Sequence, residues 1–80
     1  MKTNEFIKYF EYRGYFVENL DGVIEVTKSP FGWIILSLNK LNSTFNCDYI
    51  NFELLDYEKK VEYYKVIFEY LITPVKERED

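Results

Sequence analysis

The chain has 80 residues, and its ten Lys and Arg against fourteen Asp and Glu give a net charge of -4, with no His. That length accommodates one domain, residues 1–80, whose elements share a single core. The acidic balance repels phosphate backbones, so no direct nucleic-acid binding is expected. The absence of His removes the commonest general base and metal ligand, so the reading is of a non-enzyme with no catalytic residue, no metal and no cofactor. The single cysteine, Cys47, has no intrachain partner, which favours a reduced, cytoplasmic setting. No apolar run is long enough to span a bilayer and the first residues are amphipathic, so no membrane association is expected. Aromatic residues make up 20% of the chain and supply the buried area that a small domain otherwise lacks.

In chain order, Thr3 or Asn4 is the candidate cap of a first helix, Asn4 to Arg13, with Phe6, Ile7, Tyr9 and Phe10 at helical spacing and Gly14 as its stop. Tyr15 to Leu20 and Val23 to Lys28 alternate around Asp21-Gly22, the signature of a two-residue hairpin turn. Counting outward from that turn pairs Leu20 with Val23, Asn19 with Ile24, Glu18 with Glu25, Val17 with Val26 and Phe16 with Thr27. Ser29-Pro30-Phe31-Gly32 predicts a second reversal, and Trp33 to Asn39 a central strand with Trp33 in the core. Lys40 to Ser43 reads as a polar loop, and Thr44 to Ile50 as an edge strand. Asp56 caps a long helix with a stripe of Tyr57, Val61, Tyr64, Phe68 and Leu71, widened by Ile67 and Ile72 and stopped by Thr73-Pro74. Residues 75–80 read as a charged tail. The sum is an α+β domain with an antiparallel three- to four-stranded sheet in α-β-β-β(-β)-α order and its helices packed on one face.

The candidate functional residues are contacts for a protein partner. Glu18 and Glu25 face each other across the hairpin, an arrangement that costs stability unless a cation or basic partner lies near. With Asp21 at the turn they form an acidic tip, suited to Lys or Arg of a partner or, weakly, to a divalent ion. Six tyrosines, Tyr9, Tyr12, Tyr57, Tyr63, Tyr64 and Tyr70, lie on the two predicted helices, more than one sheet face can bury. Tyr12, Tyr63 and Tyr70 are therefore added as contact residues, since Tyr joins rigid apolar area to a polar tip. Cys47 reads as a small buried residue, because no His is present to make it a nucleophile.

Helix, three strands and helix is also the order of the double-stranded-RNA-binding domain. That family has a Lys-rich start to its second helix, where this chain has Asp56-Tyr57-Glu58-Lys59-Lys60-Val61-Glu62. An RNA-binding role would require Lys2, Lys8, Lys59, Lys60 and Lys65 to share one face. Arg13-Gly14-Tyr15 and the terminal run Glu69-Tyr70-Leu71-Ile72-Thr73-Pro74-Val75-Lys76-Glu77-Arg78-Glu79 resemble small proteins encoded by phages and prophages of Gram-positive bacteria. The resemblance implies a phage accessory product in the host cytoplasm. By size and charge it is similar to anti-CRISPR proteins, acidic inhibitors that occupy the basic grooves of nucleic-acid-handling enzymes. The function read from the sequence is thus an acidic interaction module that inhibits a host enzyme. The alternative is a structural or assembly homo-oligomer, a homodimer being its simplest form.

Overall fold

In the computed structural model, which describes residues 1–79, helix α1 spans Thr3–Glu11. Its N-cap position is Lys2, not Thr3 or Asn4, and the Glu5 carboxylate accepts the Lys2 backbone N–H at 3.0 Å. The Thr3 hydroxyl lies instead 2.8 Å from the Tyr70 hydroxyl. The helix stops short of Arg13 because Gly14, with φ 89°, closes it. The Gly14 N–H donates to the Glu11 carbonyl and the Tyr15 N–H to the Phe10 carbonyl, the bond pair of a Schellman ending.

Strands β1 (Phe16–Leu20), β2 (Val23–Ser29), β3 (Gly32–Asn39) and β4 (Phe45–Asn46) form one antiparallel sheet in chain order. The β1–β2 register is the one dictated by the Asp21-Gly22 turn, from Leu20 opposite Val23 to Phe16 opposite Thr27. Between β2 and β3 the pairing steps from Val26–Leu36 to Thr27–Ile34, which leaves Ile35 as the extra residue of a bulge. Ile35 and Leu36 are both fully buried. The bulge fills the inward positions of β3 with Ile35, Leu36 and Leu38, and Trp33 is not the core residue that the sequence suggests. It is 69% exposed at the strand's start.

The predicted edge strand from Thr44 to Ile50 shrinks to Phe45–Asn46. The Asn46 side chain accepts the Asp48 backbone N–H at 2.8 Å, offering the chain a turn in place of a ladder. Cys47 follows this strand and is buried, and a short helix α2 spans Ile50–Glu53 with Phe52 in the core. Helix α3 spans Tyr57–Leu71 and is capped as predicted by Asp56, whose carboxylate accepts the Lys59 N–H at 2.8 Å. Its buried stripe is rotated from the predicted one: Tyr63, Val66, Ile67, Tyr70 and Leu71 face the core, while Tyr57, Phe68 and Ile72 are exposed. The helix is apolar over much of its circumference, and the rings of α1 choose the side that is buried. Phe6 meets Tyr70 at a tilt and Phe10 meets Tyr63 edge to face, with ring centroids 5.3 and 5.1 Å apart.

Ile24, Val26, Leu36 and Leu38 lie on one side of the sheet by their pairing, and they join Phe6, Phe10, Phe52, Tyr63, Ile67 and Tyr70 in a single core. The architecture is thus α+β in α-β-β-β-β-α order, with α2 inserted before the last long helix. Among the described residues no helix is long and apolar enough to cross a membrane.

The predicted charged tail is folded onto the domain as far as Glu79; Asp80 lies outside the described residues. Val75–Glu77 forms a 3-10 turn, and Arg78 is only 2% exposed. Its guanidinium donates to the carbonyls of Leu71, Thr73, Asn39, Lys40 and Asn42 at 2.8 to 3.3 Å and lies 4.8 Å from the Tyr70 ring centre. The Thr3 N–H donates to the Arg78 carbonyl at 2.7 Å, tying α1 to the same segment.

Candidate protein-binding face

Strand alternation that points Ile24, Val26, Leu36 and Leu38 inward points Phe16, Glu18, Leu20, Val23, Glu25 and Ser37 to the other side of the sheet. On that side Glu18 lies opposite Glu25, and Glu25 opposite Ser37. Phe16 and Leu20 flank Glu18 along β1 and are 46% and 43% exposed. The ion pairs among the described residues are Arg13–Glu62 and Lys60–Glu53, so neither Glu18 nor Glu25 has a cation beside it. Like charges face each other here between two apolar side chains. Asp21 is exposed at the turn. Among the described residues no three His, Cys, Asp or Glu side chains are grouped so that they could hold a metal ion.

The structure separates the three candidate tyrosines. Tyr12 is 84% exposed at the end of α1, as a contact residue must be. Tyr63 and Tyr70 are 1% and 0% exposed, which corrects their placement on the contact surface. Their hydroxyls are satisfied inside the protein: Tyr63 donates to the Tyr15 hydroxyl at 3.1 Å and Tyr70 shares its bond with Thr3. Besides Tyr12 and Tyr57, exposed aromatics gather at the β2–β3 turn, where Phe31 is 97% exposed beside Trp33. Pro30 and Gly32 were the available signal, because a tight reversal leaves the residue between them at its tip. Trp33 has φ 65°, a left-handed conformation that costs a bulky residue about 1–2 kcal/mol. The turn is braced by Ser29, whose hydroxyl accepts the Phe31 N–H at 3.2 Å.

Several polar groups away from this face are engaged structurally. Tyr9 donates its hydroxyl to Glu62, Arg13 Nε donates to the same carboxylate oxygen at 3.0 Å, and the guanidinium carbon lies 3.5 Å from the Tyr9 ring centre. The bond from Tyr9, followed by that from Arg13, holds the Glu62 carboxyl below its ordinary range. This contribution to stability is present above the unfolded carboxyl value and is lost as pH falls through the lowered one. Cys47 is pushed up to about 11 by burial, against the bond it shares with Tyr64, so near neutrality it is a thiol and not a nucleophile. Lys2 Nζ donates to the Glu77 and Glu79 carbonyls beyond the end of α3, whereas Lys60 pairs with Glu53 near its start. These two bases of the RNA-binding reading therefore lie at opposite ends of that helix.

Burial first, and then the bond to Glu62, raises the Tyr9 phenol well above its ordinary value; burial and then Tyr15 do the same to Tyr63. Both groups hold their protons more tightly folded than unfolded. Their contribution to stability is full below the unfolded phenol value of about 10 and is lost as pH rises beyond it. An alkaline titration followed by phenolate absorbance and circular dichroism is expected to show some tyrosines ionising only as ellipticity is lost. Complete ionisation with the fold intact would contradict the packing of Tyr9 and Tyr63.

No family profile, curated protein or solved structure matches the chain. The open face and its chemistry therefore carry the functional reading.

Proposed function

We propose that the protein is an interaction module whose open sheet face binds a basic protein surface, acting as an inhibitor of a host nucleic-acid-handling enzyme. The observation that carries this reading is the Glu18–Glu25 pair, set face to face without a cation and flanked by half-exposed Phe16 and Leu20. A Lys or Arg from a partner relieves the repulsion within the pair, and the apolar neighbours supply area that excludes water around it. The net charge of -4 favours approach to surfaces that grip phosphates. The phage-like terminal motifs supply the host enzyme as the partner, and anti-CRISPR proteins are the analogy by size and charge.

Glu18→Lys places opposite charges across the hairpin. It is expected to stabilise the fold by about 0.2–1 kcal/mol while weakening partner binding at least tenfold. Thermal melting and a pull-down from the natural host, repeated at raised salt and with Glu18→Lys plus Glu25→Lys, measure the two effects. A partner captured equally by wild type and the double variant at either salt would remove this face from the interface. Exposed Phe31 and Trp33 favour a second reading, a homo-oligomer, and sedimentation at high concentration separates the two.

A further inference from the structure

The two edges of the sheet differ in kind. β4 ends one side with a two-residue strand, whereas β1 ends the other with five, Phe16–Leu20. Exposed edges of that length are ordinarily blunted by charged side chains, Pro or a bulge; β1 has no Lys, Pro or bulge, and its single charge is Glu18. Lys40 reaches only its far end, where Nζ donates to the Asn19 side chain at 2.6 Å.

The two-residue turn makes Leu20 and Val23 a hydrogen-bonded pair, and alternation makes Glu18–Glu25 and Phe16–Thr27 pairs of the same kind. The N–H and C=O groups of Val17 and Asn19 therefore point away from β2. Among the described residues β1 pairs with β2 alone, and no turn or loop backbone bond reaches those groups.

We propose that the β1 edge takes up an extended segment of the partner as an additional strand, with Lys or Arg beside Glu18 and apolar residues two positions to either side, beside Phe16 and Leu20. The proposal rests on the reading that this face binds a basic partner, and adds the mode of binding. Strand addition satisfies the free backbone groups, while pockets between alternate side chains set sequence preference. It also extends the row Glu18–Glu25–Ser37 with the cation that the row lacks. A second copy is a poor occupant: antiparallel self-pairing centred on β1 sets Glu18 against Glu18, a like-charge pair.

The test uses the whole protein labelled for NMR and an excess of the peptide Val-Thr-Lys-Thr-Val, blocked at both ends. Two control peptides carry Glu in place of Lys, or N-methyl groups on the amides that would face the edge. The expected result is hydrogen-exchange protection of the Val17 and Asn19 amides rising at least fivefold with the Lys peptide, and with neither control. Equal binding of the N-methylated peptide would overturn strand addition and leave the basic-partner reading in place. Equal protection by the Glu peptide would overturn the charge preference and leave strand addition. Absence of any binding at millimolar peptide would overturn the proposed edge site, whereas loss of the host partner's dependence on Glu18 is what would overturn the parent reading.

Discussion

Arg78→Met is expected to lower the free energy of unfolding by about 3–5 kcal/mol, read as a fall in the urea midpoint. The loss is large because the guanidinium donates at once to the carbonyls of Leu71, Thr73, Asn39, Lys40 and Asn42. Met is of similar size but removes the donor from those acceptors; an unsatisfied buried acceptor costs about 1–3 kcal/mol, which applies in full to the buried Leu71 carbonyl and in part to the half-buried others. A chain of this size has roughly 4–12 kcal/mol of total stability, so the variant sits close to the folding threshold. Arg78→Lys is expected to recover only part of the loss, since an ammonium has three donors and no planar fork with which to reach both the 39–42 loop and the end of α3. Hydrogen exchange should show the loss first in that loop and in α1, whose Thr3 N–H is bonded to the Arg78 carbonyl. An Arg78→Met unfolding free energy within about 0.5 kcal/mol of wild type would mean that the terminal segment is an appendage after all.

Phe10→Ala is expected to cost about 3–5 kcal/mol, the second large effect. Phe10 is fully buried and its ring meets those of Phe6, Tyr9, Tyr15 and Tyr63 with centroids 5.0 to 5.9 Å apart. Truncation leaves a ring-sized cavity where α1, α3 and the entry to β1 meet, and each lost aromatic pair adds to the transfer loss. Phe31→Ala is the control, because a 97% exposed ring at a turn has little packing to lose; its unfolding free energy is expected to change by no more than about 0.5 kcal/mol. Chemical denaturation of the two variants side by side separates the rings that hold the fold from those left free for contact. Similar losses in both would contradict the assignment of Phe31 to the surface.

The parts legible in the sequence were those set by short-range chemistry. Asp21-Gly22 specified the hairpin and, through the two-residue side-chain period, put Glu18 opposite Glu25; Gly14 and Asp56 marked a helix end and a helix start. Each depends on a few neighbouring residues whose backbone angles or caps admit few alternatives. Tertiary structure decided which of several apolar faces is buried. The Ile35 bulge took the inward places of β3 and left Trp33 outside, and the rings of α1 turned Tyr63 and Tyr70 inward on a helix whose sequence supports more than one stripe. The role of Arg78 was likewise hidden, because its acceptors come from two segments far apart in sequence. The acidic pair that suggested contact was thus local information, whereas the identity of the aromatics available to join it depended on which rings the core had already used.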